Sequence, residues 1–562
     1  MTPSAYGGFR SETSSGTCMW TTKNVKPPHK ASDFSIPPLR WWWFMLPIVV
    51  LAFVRDLWAS DEPRYGEVAR EVYEGGSFLV MHLCGAVYPD KPPLLFWLSG
   101  LGGWLTGWSE WGLRAPSLIA TAITAWLVAV LARRWWGEIE ARWAPVLFLT
   151  FAMVTKIGGR LQIDPLLMVL CVGALVVGTA PTTDPRVRTR GLLAAGLLVG
   201  FGALTKGPVA LVNVGLVALA WRIFVPDNEE RQPVARWVWP AAAVLAIGPV
   251  LVWALSAAVV EPKLLEALFF DQHVGRITKA DRHPGPFWKY VVKLPVLLLP
   301  WSLMVWVGLT ASWKQWRNRT SQKFDRGLVR AALWLGVLVL FYSLIPPKRD
   351  LYLLSAYPAA ALLAARALAH RTREGRLERW LGFGTAVALA LMGVALSGVS
   401  FFVDQVDGLW WRGPVIGMPL VAAACGAVWA TIHARPGVWA RSVVTGWLLF
   451  SVALGLFIVP ALDPLKSSRG LAEELAARPE NPTEIPCLGR VKPGGFRFYG
   501  RIPTVPADEL FSHLERDGKD FLGLANVKSW EGLSADQRSA FRVAAERTVG
   551  GKNFVILVAA ED

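Results

Sequence analysis

Residues 41–76 read WWWFMLPIVVLAFVRDLWASDEPRYGEVAREVYEGG. The stretch 41–54 contains no charged residue, and an apolar run of this kind is typical of a segment that enters a bilayer. Residues 60–76 follow at once and predict an amphipathic helix, because apolar side chains recur there at helical spacing. These side chains are Tyr65, Val68, Ala69, Val72 and Tyr73. The stretch therefore predicts a bilayer segment followed by a charged helix on the membrane surface.

The composition of the whole chain also indicates a membrane protein. Of its 562 residues, 53% are hydrophobic and only 18% are charged, which is less charge than a soluble protein of this size carries. The net charge of +16 does not indicate nucleic-acid binding, because most basic residues lie in short loops beside apolar segments. The sequence predicts an all-α polytopic membrane domain with no nucleic-acid partner.

Apolar segments of bilayer length predict about 13 transmembrane helices. Their approximate positions are 39–57, 113–132, 143–158, 161–179, 191–205, 207–224, 237–259, 294–312, 331–345, 351–369, 380–402, 414–434 and 442–461. The segment 93–108 is apolar too, but it is short and contains several glycines. It predicts either a further span or a helix lying in the membrane interface.

The basic loops decide between these two options for 93–108. If that segment does not cross, the loops 133–142, 184–190, 313–330 and 370–379 lie on the side of the basic N-terminus, as the positive-inside rule requires. We therefore expect thirteen spans, a cytoplasmic N-terminus and an external, periplasmic C-terminus.

This topology predicts three parts in the chain. Residues 1–38 form a cytoplasmic tail, and residues 39–463 form the transmembrane domain, with periplasmic loops at 58–112 and 260–293. Residues 464–562 carry more charge and shorter apolar runs, which predicts a small periplasmic α/β domain large enough for its own core.

Within that C-terminal domain the apolar runs are of strand length. EIPCLG at 484–489, FRFYG at 496–500 and FVILVAA at 554–560 predict strands, and the stretches 507–516 and 535–547 predict helices. We expect the domain to act in substrate access or as a scaffold.

Asp61 and Glu62 open the charged helix of the first stretch. Their ordinary explanation is capping of the helix and interaction with its dipole. Several basic residues at the same membrane level favour another explanation: Arg64, Lys91, Lys206, Arg276, Lys348 and Arg349. A single lysine there is usually an interfacial anchor, but this set predicts a shared anionic ligand such as a lipid phosphate.

A second acidic residue, Asp164, stands about four residues inside a predicted span. An unpaired carboxylate is costly there, so an ion pair with Arg160 one turn earlier and a functional role are both open. In the loop 260–293, His273 and His283 are of the type that binds a metal, although their spacing alone is weak evidence.

Taken together, the motifs resemble those of a known family. They are DEPRYGEVAREV, YPDKPPLLFW, GRLQIDPLLM, LTKGPVAL, the FF-x-x-H-x-x-R run at 269–276 followed by PFWKY, and SLIPPKRDLYLLSAYPAAALLAA. In this order, over residues 39–460, the chain resembles the GT-C membrane glycosyltransferases. Among these it is most similar to the ArnT family of 4-amino-4-deoxy-L-arabinose lipid A transferases, which are relatives of the protein O-mannosyltransferases.

The resemblance implies a fold and an activity. The fold is a GT-C domain of thirteen spans with a periplasmic C-terminal domain, in the bacterial inner membrane. The implied activity is transfer of a sugar, with inversion, from undecaprenyl phosphate to lipid A or another envelope acceptor, a reaction connected with lipopolysaccharide modification and polymyxin resistance. The implied partners are the polyprenyl-phosphate donor, the acceptor and membrane lipids, and a monomer is expected.

The resemblance also implies roles for individual residues. Asp61 would be the catalytic carboxylate and Asp164 the second essential acid. The residues that would bind substrate and phosphate are Arg64, Tyr88, Lys91, Lys206, Arg276, Lys348 and Tyr352. Some family members bind zinc with an acid and a histidine that match Asp90 and His273, although Asp90 replaces a glutamate. PPKRD at 346–350 differs from the sequence that is usual in the family at this place. The difference affects the expected selectivity for donor or acceptor and not the expected fold.

Three other functions are compatible with the sequence. One is a protein O-mannosyltransferase-like enzyme, which would act on a protein acceptor. Another is a transporter or flippase for a lipid-linked sugar, but transporters usually show internal repeats and polar sites at the bilayer midplane. The third, an inactive lipid-binding scaffold, gives no reason for Asp61 and Asp164 together.

Overall fold

The computed structural model describes residues 39–59, 61–225, 233–266, 285–318, 324–370, 376–398, 411–480, 484–489, 491–506 and 510–560. In the described part of the chain up to residue 462, most residues are helical. Its helices, some of them single turns, are Trp41–Met45, Leu46–Phe53, Glu62–Tyr73, Leu94–Leu105, Glu110–Trp135, Glu138–Leu149, Ala152–Ile157, Ile163–Gly178, Pro185–Lys206, Val209–Phe224, Val238–Val260, Lys263–Glu266, Lys289–Leu297, Ser302–Arg317, Arg326–Leu344, Asp350–Ala356, Tyr357–Ala369, Arg376–Gly398, Arg412–Ile432, Pro436–Ala453, Leu454–Ile458 and Pro460–Leu462.

Eight helical segments in the described part are long and apolar enough to cross a membrane, and four shorter apolar helices accompany them. The prediction of a multi-pass, all-α membrane domain is therefore confirmed, while the number thirteen stays a prediction. The disputed segment 93–108 forms the 12-residue helix Leu94–Leu105. At 1.5 Å per residue this helix is about 18 Å long, too short for a hydrocarbon layer of about 30 Å.

Two predicted spans, 143–158 and 294–312, are each broken near the middle. The first divides after Leu149 and the second after Leu297. The breaks lie against each other, so that Ala152 N donates to Leu299 O over 2.9 Å and Trp301 Nε1 donates to Thr150 Oγ1 over 2.8 Å. Groups released from one helix thus find partners at the other break, which is how interrupted helices are tolerated inside a membrane domain.

The charged helix of the first stretch is Glu62–Tyr73, called here the juxtamembrane helix. Its predicted apolar face is buried, but so are Glu67 and Arg70 on another side. The helix Pro493–Gly500 of the C-terminal domain covers that side, where Arg70 Nη2 donates to Arg497 O over 3.3 Å. The juxtamembrane helix is therefore packed against other parts of the protein on more than one face. The prediction of an amphipathic helix with a solvent-exposed polar face was wrong.

The buried Glu67 predicts a pH-dependent stability. Burial raises the pKa of Glu67 to about 7 against the opposing effect of Arg70, and Glu71 adds to the rise. Glu67 thus keeps a proton in the folded state at pH values where the unfolded chain has lost it. The resulting stabilisation of the folded state is complete below pH 4.5 and is lost as the pH rises through 7. The difference amounts to at most about 3 kcal/mol.

Glu67→Gln is expected to remove this dependence. The unfolding temperature of the wild type in detergent, followed by tryptophan fluorescence, should fall between pH 5 and pH 8, and that of Glu67→Gln should change less. Glu531→Gln, an exposed position in the C-terminal domain, serves as the control. Equal slopes for wild type and Glu67→Gln would contradict the assignment of the pH dependence to Glu67.

The described part of the chain contains two β-sheets. A small hairpin pairs β1 (His82–Leu83) with β2 (Ala86–Val87) beside the juxtamembrane helix. The C-terminal part has a five-stranded sheet in the order β4-β3-β5-β7-β6. Its strands are β3 (Ile485–Leu488), β4 (Thr504–Pro506), β5 (Leu522–Asn526), β6 (Phe541–Val549) and β7 (Lys552–Ala559). β3 pairs in parallel with β4 and β5, whereas β7 runs antiparallel to β5 and β6.

Helices accompany this sheet, as an α/β domain requires. They are Asp463–Lys466, Arg469–Ala476, Pro493–Gly500, Leu510–Asp517, Gly518–Asp520, Val527–Glu531 and Ala535–Ser539. The prediction of a small C-terminal α/β region is confirmed. The predicted helix at 507–516 is confirmed from residue 510 onward, and residues 507–509 lie outside the described part.

Two of the local predictions in this region were wrong. FRFYG belongs to the helix Pro493–Gly500, where Phe496 and Phe498 are both buried by the packing on either side. The stretch 535–547 is helical only to Ser539 and then becomes β6. The reason is the turn Gly550-Gly551, in which both residues have positive φ angles of 61° and 76°, the conformation that joins a two-residue β-hairpin.

Candidate active site

Asp61 lies at the start of the juxtamembrane helix, but it does not cap it with its side chain. Its Oδ1 atom is 3.0 Å from Arg64 Nη2, and its Oδ2 atom is 2.6 Å from Arg349 Nη2. The side chain of Gln162 lies close by. Asp61 is only 8% exposed, and its carboxylate is thus held between one guanidinium three residues away and one from a distant part of the chain.

The charge state of Asp61 follows from these contacts. Burial alone would raise the pKa of Asp61, but Arg349 and then Arg64 outweigh burial and hold this pKa below its usual range. Asp61 is therefore ionised throughout the neutral range. A carboxylate of low pKa accepts hydrogen bonds and stabilises positive charge, but it is a weak base.

Glu62, the neighbour of Asp61, has an entirely structural environment. It is 0% exposed and accepts hydrogen bonds from Arg55, Arg114 and Arg160. The backbone N–H groups of Trp58 and Leu161 also donate to it, over 3.3 and 3.0 Å. Glu62 therefore fastens the entry segment, the juxtamembrane helix and the turn before residue 163 to one another.

The second predicted acid, Asp164, is paired with Lys206. The distance from Lys206 Nζ to Asp164 Oδ1 is 2.5 Å, and the same ammonium lies 4.6 Å from the ring centre of Tyr352. Arg160 is not the partner of Asp164, because its guanidinium binds Glu62. Three predicted site residues, Asp164, Lys206 and Tyr352, thus form one cluster.

A cavity of about 460 Å³ opens beside Asp61. Its charged lining residues are Asp61, Lys156, Arg160, Lys289, Lys293, Lys348, Arg349 and Asp350. Six of these eight are basic, so the cavity suits an anion. Its apolar lining residues include Met153, Ile157, Val296, Leu297 and Leu351. A phosphate joined to a hydrocarbon chain would match both kinds of lining residue.

Lys348 and Arg349 both line this cavity, but they use their charges differently. Lys348 Nζ donates to the carbonyl oxygens of Ser343, over 3.0 Å, and of Ile345, where it satisfies the end of the helix Arg326–Leu344. Arg349 is the residue that reaches Asp61. Of the two, Arg349 therefore has the more direct place at the candidate catalytic carboxylate.

Arg64 connects Asp61 with the residues of the YPDKPP motif. Its Nη1 atom is 3.5 Å from Asp90 Oδ2, and its guanidinium lies 5.7 Å from the ring centre of Tyr88. Tyr88 is buried, and its hydroxyl has no hydrogen-bond partner among the described residues. Lys91 is half-buried in the turn before the helix Leu94–Leu105.

The predicted metal ligands are only partly described. His273 and Arg276 lie outside the described residues. Asp90 faces the guanidinium of Arg64, with which a zinc ion would have to share the carboxylate. The zinc site at Asp90 and His273 stays a prediction, and no step of the mechanism below depends on it.

A different group of ligand-type side chains occurs in the described part of the chain. The ligand atoms of Glu67, Glu71 and Cys84 lie within 4.8 Å of one another. Arg70 Nη2 is 2.7 Å from Glu67 Oε1. A metal ion at this group would therefore have to share the carboxylate of Glu67 with the guanidinium of Arg70.

Sequence reasoning did not assign three important roles. The sequence indicates Arg349 only as one basic residue at the right membrane level, assigns no role to Gln162, and does not separate Glu62 from Asp61. The motif GRLQIDPLL places Gln162 two residues before Asp164, which was an available signal. Nothing in the sequence distinguishes Glu62 from Asp61, because their partners come from other segments.

Comparison with known proteins relates the chain to transferases. A family model described as dolichyl-phosphate-mannose-protein mannosyltransferase matches residues 90–253. The chain is 30% identical over 392 residues to the undecaprenyl phosphate-alpha-4-amino-4-deoxy-L-arabinose arabinosyl transferase of Serratia proteamaculans. The aligned region covers 68% of each protein. It is 30% identical over 422 residues to the corresponding transferase 1 of Sodalis glossinidius, covering 73% of this chain and 69% of the relative.

Solved structures agree with the fold described above. The crystal structure of ArnT from Cupriavidus metallidurans in the apo state superposes with a TM-score of 0.73 at 18% identity, over 92% of this chain and 97% of that one. The same protein bound to undecaprenyl phosphate gives 0.71 at 19% identity, over 92% and 98%. The prediction of the GT-C fold is confirmed. By its sequence similarity, the chain belongs to the undecaprenyl phosphate-alpha-4-amino-4-deoxy-L-arabinose arabinosyl transferase family of GT-C membrane glycosyltransferases.

Proposed function

We propose that this glycosyltransferase moves 4-amino-4-deoxy-L-arabinose from undecaprenyl phosphate to lipid A. The bond from the anomeric carbon to the donor phosphate breaks, a bond to the acceptor forms with inversion, and undecaprenyl phosphate leaves. The single observation that carries this proposal is Asp61, held ionised by Arg64 and Arg349 beside a basic and apolar cavity. The named relatives support the choice of donor and sugar.

The cavity beside Asp61 is the proposed donor site. Its basic residues would bind the donor phosphate, and its apolar lining residues would hold the first part of the polyprenyl chain. When the sugar departs, charge accumulates on the leaving phosphate, and fixed cations stabilise that charge without donating a proton. Asp61 would face the anomeric carbon, where its negative charge stabilises the positive charge that develops there.

The low pKa of Asp61 favours one class of acceptor. A hydroxyl acceptor must lose a proton during transfer, and an ionised carboxylate held by two arginines is a poor base for that task. A phosphate acceptor is already ionised and needs only to be positioned. We therefore prefer a phosphate group of lipid A as acceptor over a protein hydroxyl, as in the protein O-mannosyltransferase-like alternative.

The remaining parts of the proposal concern location and assembly. We place the N-terminus in the cytoplasm and the C-terminal α/β domain in the periplasm of the inner membrane. We also propose that the enzyme acts as a monomer and binds zinc at Asp90 and His273. A flippase for the same lipid is the second candidate, since the donor cavity would serve it as well.

Reconstitution of the reaction tests the proposed function. The purified enzyme, undecaprenyl-phosphate 4-amino-4-deoxy-L-arabinose and lipid A in detergent should yield lipid A carrying the sugar, as measured by mass spectrometry. Deletion of the gene should remove the same modification from cells. If dephosphorylated lipid A or a protein takes the sugar equally well, the proposed acceptor is wrong. Transport of the donor without any transfer would support the flippase instead.

A further inference from the structure

A second cavity, of about 480 Å³, lies between the start of the juxtamembrane helix and the C-terminal domain. Three basic residues line it, Arg64, Lys492 and Lys552, and no acidic residue is among its described lining residues. The two lysines are exposed at its mouth, and in the described part of the chain neither forms an ion pair. Ala59 lines both cavities, so the second cavity adjoins the donor site.

The wall of this cavity presents hydrogen-bond donors. The helix Pro493–Gly500 begins there, and no side chain caps its N-terminus, although the first N–H groups of a helix have no partner within the helix. Ser468 Oγ lines the cavity, is buried and has no hydrogen-bond partner among the described residues. It lies 2.2 Å from the place that a Cβ atom on Gly495 would occupy, so it sits directly against the first turn.

The charges around Lys492 are not balanced. Partial burial lowers the pKa of Lys492, and Arg64, Lys552 and Arg349 lower it further, whereas Asp61 is the acidic residue that opposes them. Arg64 Nε is also buried without a hydrogen-bond partner in the described part of the chain. An excess of positive charge, free backbone donors and unpartnered polar atoms in one cavity are the features of an anion site.

We propose that this second cavity binds a phosphate group of the acceptor and presents it to the donor sugar. The inference rests on the proposed function, and it assigns to the C-terminal domain the role of forming half of the acceptor site. Arg64 would join the two events, because it lines the second cavity and binds Asp61. The acceptor would thus reach the anomeric carbon from the side of Arg64, while the leaving phosphate stays on the side of Arg349, as inversion requires.

Substitution of the two lysines tests this site kinetically. The double variant Lys492→Gln/Lys552→Gln should raise KM for bis-phosphorylated lipid A at least about tenfold, with kcat and KM for the donor unchanged. Lys519→Gln, an exposed lysine of the same domain outside the cavity, is the matched control. A rise in KM for the donor alone would overturn the assignment and give the cavity to the donor, and unchanged KM values would overturn it as well.

A binding measurement separates this inference from the proposed function. The dissociation constant of bis-phosphorylated lipid A, measured with detergent-solubilised enzyme and without donor, should rise in the double variant and not in Lys519→Gln. Dephosphorylated lipid A should bind wild type and double variant equally. If lipid A binds in this phosphate-dependent way but is never modified, the proposed function fails and the site stands. If transfer occurs and the lysines do not affect binding, the site fails and the function stands.

Discussion

Asp61→Asn is expected to abolish most sugar transfer and to leave the protein folded. Loss of the negative charge removes the group that faces the developing positive charge and that holds Arg64 and Arg349 in place. Fixed electrostatic groups of this kind contribute about 10²–10³-fold to kcat. We expect a decrease of that size in steady-state assays with purified donor and acceptor, with KM for the donor little changed, because the interaction acts on the transition state.

A second measurement distinguishes positioning from base catalysis by Asp61. If the acceptor is an ionised phosphate, no proton moves in the transition state, and kcat of the wild type should be the same in H₂O and D₂O. Asp536→Asn, a change of the same kind at an exposed site, should leave kcat unaltered. Full activity in Asp61→Asn would refute the proposed mechanism, and a solvent isotope effect on kcat would refute the positioning role.

Much of the fold could be predicted because lipid imposes strict rules on sequence. Apolar length predicted a multi-pass helical domain, and the distribution of basic loops argued against counting 93–108 as a full span, where the structure has the short helix Leu94–Leu105. The breaks at 149–152 and 297–302 were not predicted. Each is stabilised by hydrogen bonds from the other, and a window of sequence read by itself does not contain its partner.

The candidate site could be predicted as a set of residue types, but not as a set of pairs. Asp61, Asp164, Arg64 and Lys206 all came from motifs, yet the partner that the sequence offered for Asp164 was Arg160, and the structure pairs Asp164 with Lys206. Local spacing favours the residue one turn away, whereas a helix packed alongside supplied a closer cation. The same limit explains FRFYG. Its aromatic residues favour a strand by local propensity, but the surfaces on either side of this segment bury them in a helix.

Glu62→Gln is expected to destabilise the protein severely, in contrast to the same kind of change at Asp61. The substitution keeps the shape of the side chain but removes the negative charge that balances Arg55, Arg114 and Arg160. Arg55 and Arg114 are almost completely buried, and breaking a buried ion pair on one side costs about 3–5 kcal/mol. Since the total stability of a folded domain is about 5–15 kcal/mol, a large part of it depends on this carboxylate.

The measurement is the unfolding temperature and the fraction of monodisperse protein after purification in detergent. Glu138→Gln is the matched control, because its partner Arg133 is exposed and exposed ion pairs contribute little; its unfolding temperature should equal that of the wild type. Burial opposes ionisation of Glu62, but the three arginines lower the pKa of Glu62 well below its usual range. Glu62 is therefore ionised in the wild type at neutral pH. If Glu62→Gln is as stable as the wild type, the arginines have other anions or water to bind. The assignment of a catalytic role to Asp61 and a structural role to Glu62 would then be wrong.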